Sequence, residues 1–134
     1  MTNIEPIPDR AALAGALRDA FPAYRESVDK LVAEIAEYGG FSEYSLLSEV
    51  FRWGILDAAV ENGEEERIRA ALEFIERLLG SPDESLRDPT VIRVVPYMLQ
   101  DSKWASVTRR HAGRYLAEEL DRYTGGQNWR HDRS

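Results

Sequence analysis

Asp57 and Glu61 stand four residues apart, a spacing that places two carboxylates on one face of a helix. A pair of that kind can pass a proton or hold a cation. Asp57 also falls among Val50, Trp53 and Gly54, where a lone charge is costly. Its structural role would then be to pair with an arginine from a neighbouring helix, such as Arg77 or Arg93. His111 is the other residue that could do chemistry. On a helical wheel it groups with Trp104, Val107 and Tyr115, as a general base, a pH-responsive group, or a half-buried ring bonded to a neighbour. One histidine without a partner makes no mechanism. The chain has no His-Glu-x-x-His, Gly-x-Ser-x-Gly, phosphate-binding loop or Gly-rich dinucleotide turn. It has no cysteine, and neither of its two histidines follows a glutamate by three residues, so thiolate, zinc and di-iron ligand sets are missing. The expectation is a protein that is not an enzyme and uses no metal or cofactor.

The charged runs read first as helix capping and solvated helix faces. Glu64-Glu65-Glu66 opens an amphipathic segment, where three carboxylates complement a helix dipole or present an acidic surface. Lys103, Arg110 and Arg114 recur at i, i+7 and i+11, a basic stripe that suits either a solvated helix face or an acidic partner. Aromatic residues are the stronger signal of binding. Tyr97 and Trp129, with Phe41 or Tyr44, exceed what a core this small must hold, and aromatics left at a surface anchor protein interfaces. Asp57 and His111 stand as candidate buried polar groups, and Glu64, Glu65, Glu66, Tyr97 and Trp129 as candidate interface residues.

The elements that must position these residues read as helices throughout. Asp9 caps a helix over residues 10–20, and Pro22 opens one over 22–38 that Gly39-Gly40 ends. Residues 43–61 are apolar on most of their circumference: Leu46, Leu47, Val50, Phe51, Trp53, Ile55, Leu56 and Val60 leave a narrow stripe of Ser45, Ser48 and Arg52. A helix of that kind belongs at the centre, wrapped by the others. Asn62-Gly63 closes it. Ile68, Ala71, Leu72, Ile75, Leu78 and Leu79 then keep one face of a helix over 64–79. Ser81-Pro82-Asp83-Glu84 is a capping box, and Asp88-Pro89 a second start. The reading is a short turn over 83–87 and a helix over 89–100 kinked at Pro96, then a last helix over 102–123. The β-branched run Val91-Ile92-Val94-Val95 is the one place where a strand competes.

These readings give an all-α fold, a single compact bundle or short repeat-like stack of about six helices over residues 1–124. Residues 125–134 form a flexible polar tail. At 134 residues one domain with a real core is expected. The net charge is −7, and residues 41–81 alone carry nine acidic and four basic groups. Such a field disfavours nucleic acid and favours a basic partner. No apolar run reaches the roughly 20 residues of a membrane helix. The first residues lack the basic and apolar parts of a signal peptide, so a cytoplasmic location without membrane contact is expected.

Residues 49–100 add a resemblance. Leu72-Glu73-Phe74-Ile75-Glu76-Arg77-Leu78-Leu79, the helix end at Asn62-Gly63-Glu64, the acidic turn at Asp83-Glu84 and the apolar helix ending at Leu99-Gln100 resemble a group of proteins. These are small, acidic, uncharacterised bacterial α-helical proteins, some of which look like immunity proteins of polymorphic-toxin systems. Pro89 and Pro96 depart from that pattern. The resemblance implies a binding protein that neutralises a toxin domain. The alternative is a helical scaffold or regulatory module that self-associates or holds a peptide in an interhelical groove.

Overall fold

Every regular element in the computed structural model is helical, and it describes residues 5–39 and 42–130. Among the described residues there is no strand; the β-branched run lies in a helix and the turn after it. Asp9 caps the first turn by accepting the Ala12 N–H at 3.1 Å, and a 3-10 turn (Arg10–Ala12) leads into α1 (Leu13–Ala20). Pro22 opens a 3-10 turn (Pro22–Tyr24) that runs into α2 (Arg25–Tyr38), ended by Gly39 at φ 77°. Gly40 and Phe41 lie outside the described residues.

The central helix, α3, spans 42–62 and is unusual. An α-helical turn (Ser42–Ser45) passes into a π-helix (Leu46–Leu56) and returns to α-helix (Asp57–Asn62), with Gly63 left-handed at its end. The Asp57 N–H donates to the Arg52 carbonyl, five residues back. Eleven residues of π-helix are far longer than the single-turn bulges in which this geometry commonly occurs. The wide turn redistributes side chains around the axis. Leu46, Leu47, Val50, Phe51, Ile55 and Leu56 are buried, while Trp53, expected among them, faces solvent.

α4 (Glu65–Leu79) buries the apolar face the spacing predicts, together with Phe74. Phe21, Phe51 and Phe74 meet with ring centroids 5.3 to 6.1 Å apart, tying the turn before α2 to α3 and α4. Ile7 is fully buried and donates its N–H to the Arg77 carbonyl, so the N-terminal segment is held against the end of α4.

Two expected helices are revised. α5 (Glu84–Arg93) starts at the first of the two start signals rather than at Pro89. Asp83, not Ser81, is the cap: its carboxylate accepts the Ser85 N–H at 2.9 Å, while the Ser81 hydroxyl accepts the Asp83 N–H at 3.1 Å. Pro89 is buried in the second turn, where its fixed φ suits a helix and one backbone bond is lost. Pro96 ends the helix instead of kinking it. The chain leaves at Val94 and tightens into a 3-10 turn (Val95–Tyr97).

The final expected helix is two. α6 (Ser102–His111), capped by Asp101 at the Trp104 N–H, stops where Ala112 turns extended, and α7 (Arg114–Tyr123) begins after Gly113. The cause is a carboxylate from another helix. Glu76 of α4 accepts the Tyr115 N–H at 2.9 Å and the Leu116 N–H at 2.8 Å, supplying the cap that α7 lacks in its own sequence. A Cβ at Gly113 would collide with that carboxyl group.

Gly125 and Gly126, at φ 66° and 92°, turn the chain back after α7. Within the expected tail Trp129 is buried while residues 125–128 and 130 are exposed, and 131–134 lie outside the described residues.

Candidate functional site

The acidic run at the start of α4 is largely neutralised. Glu64 pairs with Arg67 at 3.2 Å; Glu65 meets Arg110 at 2.7 Å and the His111 ring nitrogen Nε2 at 3.1 Å. The bond from His111, and then the Arg110 charge, hold the Glu65 carboxyl below its usual range despite some desolvation. Only Glu66 of the three makes no hydrogen bond or ion pair among the described residues. The run lines a cleft of about 600 Å³ whose other wall is Phe21, Pro22 and Tyr24, with Arg67 stacked 5.6 Å from the Tyr24 ring. The basic stripe is likewise engaged, with Lys103 on Glu61, Arg110 on Glu65 and Arg114 on Glu118.

His111 is half-buried and bonded to a neighbour, the structural alternative its sequence position allowed. It lines a cavity of about 460 Å³ with Glu73, Glu76, Arg114 and Tyr115. Asp57 is not in that lining. Among the described residues no group of three or more His, Cys, Asp or Glu side chains could hold a metal ion.

Of the expected surface aromatics, Trp129 belongs to the interior. It is 8% exposed, its indole N–H donates to Asp121 at 3.0 Å, and Arg130 lies 4.6 Å from its ring while bonding Asp121 at 2.7 and 3.1 Å. Polar residues around it hid this contact, because the carboxylate that holds the indole lies eight residues back on α7. Tyr97 is half-buried beneath Arg52, whose guanidinium carbon is 3.4 Å from the ring centroid. Tyr44 is also half-buried, with Arg93 at 5.4 Å from its ring.

Three aromatics are exposed, Tyr115, Tyr123 and Trp53, and of these Trp53, with 54% of its surface open, stands at the middle of the central helix. Arg52 approaches it from one side at 5.6 Å. Glu49 precedes it by four residues, Asp57 follows by four and Glu61 by eight, forming one acidic stripe along α3. Asp57 is half-buried there and its carboxylate makes no hydrogen bond or ion pair among the described residues. Its expected arginines are occupied, Arg77 on the Glu5 carbonyl and Arg93 on Tyr44. Burial raises the Asp57 carboxyl above its usual range; Arg52 opposes this from beyond ion-pair distance and Glu61 adds to it. Arg52 itself stays flat on Tyr97 with a buried Nε–H that has no acceptor. An open indole beside a half-buried carboxylate that makes no ion pair can bind a complementary surface.

One family model matches the chain over residues 14–130, and its description is a domain of unknown function, DUF7674. The chain belongs to that family. No curated protein and no solved structure matches it. The DUF7674 match covers every helix from α2 to α7 and includes Trp53, Asp57, Tyr97 and the Trp129–Asp121 contact. Among the described residues of this DUF7674 domain no helix is long and apolar enough to cross a membrane.

Proposed function

We infer that this DUF7674 domain is a protein-binding domain that docks a basic partner on the Trp53 face of α3. The exposure of Trp53 carries the reading. A tryptophan more than half open, in a chain that buries Trp104 and Trp129, forgoes the apolar burial that a fold rewards and offers it to a partner. Glu49 and Asp57 flank the indole without an ion pair among the described residues, which suits basic groups around an apolar socket. Residues 49–100 resemble a group of small acidic helical proteins, some of which look like immunity proteins, and this makes a toxin domain the partner class we favour.

Capture from lysate of the source organism, at micromolar protein, tests this. The wild-type domain should retain one stoichiometric partner with a basic surface. Trp53→Ala should weaken retention by about 30-fold or more, as truncating a hot-spot aromatic does. Glu64/Glu65/Glu66→Ala, which touches mostly paired charges, should weaken it far less. Retention that ignores Trp53, or a discrete homo-oligomer by light scattering with no partner bound, would turn the assignment to a self-associating helical module.

A further inference from the structure

Asp121, Arg130 and Trp129 assemble a three-part contact inside this chain. The guanidinium lies 4.6 Å from the indole ring and its N–H edge forks onto the carboxylate at 2.7 and 3.1 Å. On α3 an indole and a carboxylate recur, with the nearest guanidinium, that of Arg52, 5.6 Å from the Trp53 ring and in no ion pair with the carboxylate. Trp53 offers an open indole, and Asp57, one turn on, a carboxylate with no ion pair among the described residues. Asp57 closes the π-helix that holds Trp53, and four residues fall just short of one turn of an i→i+5 ladder, so the two side chains leave α3 on nearly the same side. Arg52 fills the guanidinium's role only in part: it lies 3.4 Å from the Tyr97 ring centroid against 5.6 Å from that of Trp53, and it acts on Asp57 from beyond ion-pair distance.

Resting on the reading that α3 carries the binding face, we propose that Trp53 and Asp57 form a receptor for an arginine side chain of the partner. The indole takes the flat face of the guanidinium and Asp57 takes its edge. A lysine fits less well. Its ammonium is a strongly hydrated point charge that cannot stack and fork at once, whereas the weakly hydrated planar guanidinium does both. Arginines elsewhere in the chain already use aromatic faces in this way, at Arg52 on Tyr97 and Arg93 on Tyr44. Glu49 adds a second negative charge on the approach side of the indole.

The test is a titration of the intact, isotope-labelled domain with the capped tripeptide Gly-Arg-Gly, followed at the Trp53 indole N–H signal by NMR. Gly-Lys-Gly and Gly-citrulline-Gly serve as comparison probes. The arginine peptide should shift the Trp53 signal with a Kd in the millimolar range, about fivefold or more tighter than the lysine peptide, with the neutral citrulline peptide weaker still. Asp57→Asn should weaken arginine binding about tenfold while Trp104 and Trp129 keep their signals, which shows the fold intact. Equal binding of arginine and lysine, indifference to Asp57→Asn, or no shift up to about 50 mM peptide would overturn the receptor. Partner capture that depends on Trp53 without an arginine preference would leave the binding face standing and remove only its arginine specificity. Loss of both would remove both.

Discussion

Gly113 and Glu76 make a residue-scale device that no local pattern announces. The carboxylate must enter the space a Cβ would fill in order to reach two backbone N–H groups at the start of α7. Gly113→Ala should therefore cost about 1–3 kcal/mol, the range for forcing atoms into a filled site. Glu76→Ala, which removes the cap and leaves the space, should cost about 1–2 kcal/mol. Urea unfolding of the two single variants and the double variant checks this. Because one contact is involved, the double variant should cost less than the two single costs added together. Trp53→Ala is the opposite case: its urea midpoint should stay within about 0.5 kcal/mol of wild type, since the side chain is largely in solvent. A large loss would mean that Trp53 serves the fold rather than a partner.

At the scale of elements, period and caps carried most of the information. The α4 face, the Asp9 cap and the left-handed Gly63 were legible because each is written within a few neighbouring residues. Two of the errors come from contacts that no local pattern contains. Glu76 breaks the helix over 102–123 from 39 and 40 residues away, and Asp121 draws Trp129 out of the expected tail. For α5, two local starts competed. The Arg87 guanidinium on the Ser81 carbonyl at 2.7 Å joins the Asp83 cap in fixing the earlier one. Trp53 was misplaced for another reason. An i→i+5 ladder turns the chain less per residue than an i→i+4 ladder, so directions read with a 3.6 period slip along Leu46–Leu56. The acid–aromatic–acid spacing Glu49, Trp53, Asp57 was the available signal of a solvent face. Truncation after Thr124 tests the returning segment. It should destabilise the domain by on the order of 2–3 kcal/mol, read from thermal unfolding, because it strips the Trp129 indole from its site. A freely fraying tail would cost nothing.

For the whole molecule, carboxylates set the response to acid. Asp83, bonded by the Ser85 hydroxyl and N–H and by the Arg10 N–H, has its carboxyl below the usual range. So does Asp121, held by Arg130 and Trp129, and so does Glu65, held by His111. A carboxyl whose folded pKa is depressed adds stability that is complete above its unfolded value and is lost as pH falls through the folded one. Asp57 acts the other way, because burial raises its pKa and protonation relieves it. Three groups against one predict that the urea midpoint holds above pH 5 and falls steadily below about pH 4. In Asp57→Asn the neutral-pH midpoint should rise, while the acid loss remains.

Three tryptophans in such different surroundings also give the domain a built-in optical reporter. Trp104 and Trp129 are shielded, at 3% and 8% exposure, and Trp53 alone stands in water. The emission spectrum should therefore contain one red-shifted component that acrylamide quenches and a blue-shifted remainder that it reaches poorly. Any molecule that covers α3 will shift the red component to the blue and shelter it from the quencher, so occupancy of that face can be followed with no label.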